Sequence, residues 1–204
     1  MALIHRPLFP GSRPEETARQ HPSHRINLQR ESIWISYCRI SGKDDLNHLC
    51  HFTSHHRLAS PVEPWEQLKI GGGTPPILTR HGWLMVYHGV QKITEPGGSI
   101  SKLCYSAGIM VLSETRPNFI LYRAADPVLE PVSAQERRGT VDNVVFPTGI
   151  DRRDDLGTPD RLDIYYGMAD SSIGVARLIL PQNLTQRSIA DAPSKSESGL
   201  HAET

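Results

Sequence analysis

A glycine-rich segment between residues 69 and 90 carries two side chains whose chemistry suits a small anion. Lys69 leads into glycines at 71–73, and an apolar run then ends in Tyr87-His88-Gly89. Glycine lets the backbone approach a ligand closely and adopt positive φ, while a lysine and an imidazole supply donors from two different strands. We therefore predict a phosphate site with Lys69 and His88 at the two lips of a glycine turn.

Taken singly, both residues also have ordinary structural explanations. A lone lysine is usually solvated at the surface. A histidine at the end of a strand can equally be a hydrogen-bonded core residue. The two alternatives stay open on the residues alone.

The composition excludes several classes of function. Lysine plus arginine number 22, as do aspartate plus glutamate, so the 204-residue chain carries no net charge at pH 7. A dedicated nucleic-acid binder needs surplus positive charge, so we predict no nucleic-acid partner. No apolar run approaches the ~20 residues that span a bilayer, and the N-terminus lacks the pattern of a signal peptide. We predict a cytoplasmic protein without a membrane partner, and homo-oligomerisation is left open.

Cysteine usage agrees with a reducing compartment. The three cysteines, Cys38, Cys50 and Cys104, are odd in number and lack CxxC spacing. This pattern is typical of reduced thiols and does not indicate a disulfide framework.

Short apolar runs between turn residues predict an all-β fold. Sixteen glycines and sixteen prolines are scattered along the chain, and no long stretch repeats its apolar residues with the helical period of about 3.6. We predict one domain over residues 1–180, with a polar insertion at 11–31 and a disordered tail at 181–204. Strands are expected at 1–7, 32–38, 83–88, 105–112, 119–123, 141–148, 162–166 and 173–180, with a less defined one within 49–52 and a short helix allowed near 135–138.

A weak internal repeat points to one particular all-β architecture. Three alternating runs end in an aromatic residue, at Tyr37, Tyr87 and Tyr165. The first two tyrosines lie about 50 residues apart, near the period of a four-stranded propeller blade. The alternative is that any all-β chain shows such alternation.

Several ordered blocks of this sequence resemble glycoside hydrolase family 130, which comprises β-mannoside phosphorylases and related mannosidases. The likeness runs from Ala2 to about Leu180 and rests on His5-Arg6-Pro7, Lys69–Ile77, Tyr87–Val90, Asp142–Gly149 and Tyr165–Asp170. The resemblance implies a five-bladed β-propeller, of which this chain covers about the last three blades. It also implies inverting phosphorolysis of β-mannosides to mannose 1-phosphate, with inorganic phosphate as co-substrate and no cofactor.

The resemblance also implies roles for individual residues. It implies a phosphate site made by Arg6, Lys69, His88 and Tyr105, and sugar contacts made by Asn143, Phe146 and Asp170. It places the general acid, an aspartate, upstream of Met1, so no catalytic residue is assigned. The alternatives are a solvated Arg6, a strand start at Asn143, a core aromatic at Phe146 and a turn aspartate at Asp170.

Alternative functions follow from the same assignment. A β-mannoside hydrolase of the same family would use water and would not need three cationic or imidazole groups together. A non-catalytic remnant that binds sugar or phosphate is consistent with the missing acid.

A histidine-rich segment has metal-binding chemistry but the wrong spacing. Nitrogen and sulfur are the donors that zinc prefers, yet the spacing here fits no closed four-ligand pattern. We predict a surface hairpin and no metal site at His48, Cys50, His51, His55 and His56.

Overall fold

The computed structural model describes residues 1–6, 31–38, 52–94, 101–157 and 160–184. Within these ranges the regular secondary structure is almost all β-strand, as predicted. The predicted insertion at 11–31 lies outside the described residues except for Glu31, and the predicted tail lies outside them beyond Leu184. The strands are β1 (Ala2–His5), β2 (Ile33–Tyr37), β3 (Ser54–Ala59), β4 (Lys69–Gly72), β5 (Ile77–Thr79), β6 (Gly82–Thr94), β7 (Ser101–Leu112), β8 (Ile120–Arg123), β9 (Val145–Arg152), β10 (Arg161–Met168) and β11 (Ser172–Ile179).

These strands form three antiparallel sheets. The first sheet has the order β1-β2-β3, and the third has the order β9-β10-β11. The second sheet has the order β4-β6-β7-β8, with β5 also paired to β6. Each sheet follows the chain order, so neighbouring strands are joined by local connections.

The second sheet is buried on both faces, because alternate residues of its two long strands serve different cores. In β6, Met85 and Tyr87 pack towards the first sheet, whereas Leu84 and Val86 pack towards the third. Successive side chains of a strand point to opposite faces, so both sets must be apolar. This explains why β6 reads as one continuous apolar run.

A buried ion pair joins the outer strand of the second sheet to its entry loop. The Arg123 guanidinium donates to both carboxylate oxygens of Glu66 at 2.8 Å, and its Nε donates to the Tyr87 hydroxyl at 3.1 Å. Tyr87 in turn donates to Glu66 at 2.6 Å. Every member has partners, so the desolvation cost of the two charges is offset by hydrogen bonds.

The indole that precedes this glutamate explains two glycines of the second sheet. Trp65 lies across Gly89 and Gly108, and a Cβ at Gly108 would come within 2.6 Å of its ring. The Trp65 ring nitrogen donates to the Ala125 carbonyl at 2.8 Å. The glycines therefore leave room for a large side chain that seals this end of the core.

The third sheet repeats this carboxylate–tyrosine anchor. Glu136, in the short helix α1 (Ala134–Arg137), accepts from the Tyr166 hydroxyl at 2.8 Å and from the backbone N–H groups of Val132 and Ser133. Glu66 makes the same contacts with Val62, Glu63 and Tyr87.

Several predicted bounds were wrong. β6 does not end at His88 but continues to Thr94, and Lys69 begins a strand instead of standing at the lip of a turn. β9 begins four residues later than predicted and continues to Arg152. The strand expected within 49–52 is not seen at Phe52, the one described residue of that range, and β3 begins at Ser54.

The short helix that the sequence allowed is present, and two of the three cysteines are described. The short helix lies at Ala134–Arg137, close to its expected place. Cys38 and Cys104 are buried free thiols, while Cys50 falls outside the described residues. No helix in the described part of the chain is long and apolar enough to cross a bilayer. The cytoplasmic location stays a prediction.

Candidate functional site

Pairing between β4, β6 and β7 sets the side chains of the candidate site on one face of the second sheet. Gly71 pairs with His88, and Lys69 pairs with Val90, which pairs in turn with Tyr105. The Lys69 ammonium therefore lies 5.6 Å from the centre of the Tyr105 ring. Phe146 arrives from β9 of the third sheet, with its ring centre 4.5 Å from that of His88.

His88 is fixed by its backbone surroundings. Its Nδ1 lies 3.1 Å from the carbonyl oxygen of Gly72, and because a carbonyl only accepts, Nδ1 carries the hydrogen. The Cε1–Nε2 edge of the ring lies over Gly71, where any Cβ would overlap it. The position of the imidazole therefore requires a glycine at residue 71.

The surroundings also fix the charge of His88. Burial lowers its pKa to about 4, and the positive charges of Lys69 and Arg6 act in the same direction, although the bond to Gly72 opposes them. The imidazole is therefore neutral at pH 7, and its Nε2 is an acceptor. The sequence predicted His88 to be a donor to the ligand, whereas the Nε2 of this neutral imidazole is an acceptor.

A cavity of about 920 Å³ lies beside this cluster. Its walls come from all three sheets: residues 2–6 of the first, 71–76 of the second and Thr148 of the third. Arg6 and His88 line it, whereas Lys69, Tyr105 and Phe146 do not. The structure thus places two of the four predicted phosphate ligands at the cavity and the other two behind them.

Arg6 and Lys69 have different surroundings. The Nη1 of Arg6 lies 3.8 Å from Glu31 Oε2, and 42% of the Arg6 side chain is exposed. Lys69 forms no salt bridge within the described residues, and its ammonium is held over an aromatic ring. Both charges depress the pKa of His88, so both are felt at the imidazole.

The predicted sugar-binding residues are not all brought together. Asn143 has φ 58°, and its carbonyl accepts from the Tyr105 N–H at 2.9 Å, so it lies beside the cluster. Asp170 has φ 50° in the turn after β10, is exposed and does not line the cavity. Its neighbour Ala169 donates to the Val144 carbonyl at 3.0 Å, which places this turn next to the strand of Phe146.

Part of the cavity wall was not predicted from the sequence. Trp83, Glu114, Pro117 and Thr148 line it, although none was assigned to a site. Thr148 belongs to a quoted block, but the other three had no motif to identify them. They meet only because β6 and β7 pair from Trp83 to Leu112.

The histidine-rich segment is described only in part. His48, Cys50 and His51 lie outside the described residues. His55 Nδ1 lies 2.7 Å from Ser36 Oγ, which lies 2.6 Å from His5 Nε2, and His56 lies 2.9 Å from Ser54 Oγ. In the described ranges no group of three or more histidines, cysteines and acidic residues is placed to hold a metal ion.

Comparison with known proteins supplies the family. A family model described as beta-1,4-mannooligosaccharide phosphorylase, Glyco_hydro_130, matches residues 20–184. The chain belongs to glycoside hydrolase family 130. It is 33% identical over 154 residues to 1,2-beta-oligomannan phosphorylase of Thermoanaerobacter sp. (strain X514), and 36% identical over 126 residues to beta-1,4-mannooligosaccharide phosphorylase of Ruminococcus albus.

These likenesses cover most of this chain but less than half of its relatives. The two alignments span 75% and 62% of this chain, and 45% and 35% of the respective relatives. A solved structure of beta-1,2-mannobiose phosphorylase from Listeria innocua, in complex with beta-1,2-mannobiose, matches with a TM-score of 0.54 and 31% identity. That match covers 72% of this chain and 36% of the other.

Proposed function

We propose that this chain is the phosphate-binding part of an inverting β-mannoside phosphorylase that forms mannose 1-phosphate. The observation that carries the proposal is that Arg6 and His88 line one cavity, while the Lys69 ammonium lies over the ring of Tyr105, whose centre is 6.2 Å from that of His88. Family membership and the phosphorylase relatives support the same activity.

The chemistry of phosphate attack suits these groups. The nucleophile must be held in line with the scissile bond, with its charge balanced and its oxygens still free. Arg6 is suited to bidentate contact and Lys69 acts as a point charge. A neutral His88 accepts at Nε2 the hydrogen of monohydrogen phosphate, which leaves unprotonated oxygens to attack. Tyr105 completes this pocket in the proposal.

The sugar then lies on the side of the third sheet. Phe146 presents an aromatic ring to the pyranose, and Asp170 and Asn143 accept from its hydroxyls. Asp170 must turn towards the cavity to do so, because it is exposed in the structure. The general acid, an aspartate by resemblance, has no assigned position in this chain.

We propose further that the three sheets are blades of a five-bladed propeller. Three antiparallel sheets of chain-order topology, packed face to face and jointly lining one cavity, support this arrangement. The alignments span less than half the length of these relatives, which is compatible with further sheets in the complete propeller.

A second candidate is a non-catalytic protein that binds phosphate or sugar. It is consistent with the fact that no residue of this chain is assigned as the general acid. A hydrolase is the third possibility, and it needs no phosphate.

The experiment is a phosphorolysis assay with orthophosphate and β-mannobiose, followed by ³¹P NMR. It is run on the chain alone and with the part of the Thermoanaerobacter relative that lies outside the alignment added. Mannose 1-phosphate in either sample supports the proposal. Free mannose formed without phosphate indicates hydrolysis, and phosphate binding without turnover in both samples supports the non-catalytic candidate.

A lysine variant tests the phosphate site itself. Lys69→Met should weaken orthophosphate binding by about 10-fold or more, since a hydrogen bond to a charged group contributes roughly 1.5–3 kcal/mol. Lys92→Met, on the exposed far part of β6, is the matched control and should leave the affinity unchanged. Equal behaviour of the two variants in isothermal titration would remove Lys69 from the site.

A further inference from the structure

A buried serine of the first sheet lies between two imidazoles. The Oγ of Ser36 on β2 is 2.6 Å from Nε2 of His5 on β1 and 2.7 Å from Nδ1 of His55 on β3. The three residues share one face of the sheet, because Ser36 pairs with His55, and His5 pairs with Trp34, two positions before Ser36. We call this arrangement the serine bridge, and it joins the side chains of all three strands.

The serine hydroxyl decides how the two rings can be protonated. A hydroxyl has one hydrogen, so it donates to one ring and accepts from the other. Ser36 is only 1% exposed, and the two imidazoles are the partners of its Oγ in the described part of the chain. With both rings neutral, one imidazole presents an N–H to Oγ and the other presents a lone pair.

The serine bridge accepts one proton but not two. The ring that donates to Ser36 can take up a proton on its outer nitrogen, which leaves both hydrogen bonds in place. A proton on the accepting ring gives each imidazole an N–H towards Oγ, so the serine hydrogen loses its acceptor. The two positive rings would also face each other across one oxygen, with their nearer nitrogens no more than about 5 Å apart.

The surroundings determine which ring stays neutral. Burial lowers the pKa of His5, and the charge of His55 lowers it further. His55 is exposed, so it takes up the first proton, and His5 then accepts from Ser36. Of the other charged groups in the described ranges, Arg57 lies on the same face of β3 and Arg6 follows His5. Both cations oppose a second proton.

Arg6 stands at the end of the strand that the serine bridge holds. It lines the cavity, and its contact with Glu31 is a long one of 3.8 Å. β1 has four residues, pairs with β2 alone among the described strands and leaves Leu3 exposed. A short edge strand with few buried side chains opens easily, so a side-chain tie at His5 contributes to the placement of the next residue.

We propose that Ser36 and His55 position Arg6 through His5, and that protonation of both imidazoles releases it. The inference rests on the proposed function for the role of Arg6 in phosphate binding. It adds two positioning residues that do not line the cavity. It also gives the site a loss of phosphate affinity in acid that does not arise from the anion itself.

The test combines orthophosphate titration by calorimetry with hydrogen exchange of the β1 amides, on the full chain at pH ~7.5 and pH ~5. Wild type is compared with His55→Gln, whose neutral amide can both donate to Ser36 and accept from it. The matched control is His56→Gln. His56 lies on the opposite face of β3 and contacts Ser54, so this variant removes a neighbouring histidine and leaves the serine bridge intact.

The serine bridge predicts a pH dependence that only one of these variants removes. On acidification, wild type and His56→Gln should lose about tenfold more phosphate affinity than His55→Gln. The protonation of phosphate itself is common to all three proteins and cancels in the comparison. Exchange of the β1 amides, corrected for the intrinsic effect of pH, should become about tenfold faster in wild type at the lower pH and stay unchanged in His55→Gln. Ser36→Ala should show the faster exchange at both pH values.

The outcomes separate this inference from the proposed function. Equal pH dependence of affinity and exchange in wild type and His55→Gln overturns the inference and leaves the proposed function standing. Exchange that depends on His55 while phosphate affinity does not overturns the positioning of Arg6. Exchange that depends on His55 in a protein that binds no phosphate at either pH overturns the proposed function and leaves the pH-sensitive tie of β1 standing. Absence of both effects overturns both proposals.

Discussion

Lowering the pH tests the environment of His88, because the folded chain holds this imidazole in its neutral form. The pKa is about 4 in the folded state, against 6.5 for an unperturbed histidine. Between these values the unfolded chain binds more protons, so stability falls as the pH drops from above 6.5 towards 4. The full difference between the two pKa values corresponds to about 3 kcal/mol, of which about 2 kcal/mol is lost by pH ~5.

The assay is urea unfolding at pH ~7.5 and pH ~5, with wild type and His88→Gln side by side. Glutamine carries a neutral amide, so the variant removes the titration. The chain has ten histidines, and the comparison isolates the contribution of one. Wild type should lose about 2 kcal/mol more than the variant on acidification.

Two results would refute this reasoning. Equal loss of stability in both proteins would show that His88 does not resist protonation. An imidazole NMR signal that is absent from His88→Gln and titrates near the ordinary value would show the same. Saturating phosphate supplies a further check, because a bound anion should raise the pKa of His88.

Two further predictions concern the packing behind the site. Gly71→Ala should push the imidazole aside and weaken orthophosphate binding by about tenfold in calorimetry, whereas Gly72→Ala, whose Cβ meets only a methyl group at 3.7 Å, should change it little; equal effects would contradict the close approach. Arg123→Met should lower the free energy of unfolding in urea by about 3–5 kcal/mol, because the Glu66 carboxylate would stay buried without its cation. The exposed control Arg116→Met should cost less than about 1 kcal/mol, and a similar loss in both would refute the role of the buried pair.

Alternation in the sequence was enough to find most strands. The apolar runs of β2, β6, β7 and β10 are bounded by turn residues, and the structure has strands at each. The strands β4 and β5 were missed because glycine and proline dominate residues 71–76 and hide any alternation. Pairing with β6 makes these segments strands, and that pairing is not visible locally.

The tyrosine repeat predicted the wrong tyrosine of β10 as the counterpart of Tyr87. The alternation suggested Tyr165 as the counterpart of Tyr87, yet Tyr165 is exposed and Tyr166 is buried against Glu136. Leu162, Ile164 and Tyr166 share one buried face of β10, so the regular alternation of this strand points Tyr166 inward and Tyr165 outward.

The sequence identified the side chains of the candidate site but not their protonation states. Lys69, His88, Tyr105 and Phe146 do meet in space. The proton on Nδ1 of His88 follows from the carbonyl of Gly72, and the depressed pKa follows from burial, so neither was accessible before the fold was known. The same holds for Trp83, which no motif marked.

The double burial of β6 has a consequence for how this protein can diverge from its relatives. A replacement in the interior of that strand disturbs two cores at once. The position of the His88 imidazole therefore depends on the packing of the whole strand. Arg6 and Lys69 stand at strand ends, where a change of charge leaves both cores intact. Selection is therefore free to change the charge at these two positions, whereas His88 can be replaced only together with the packing around it.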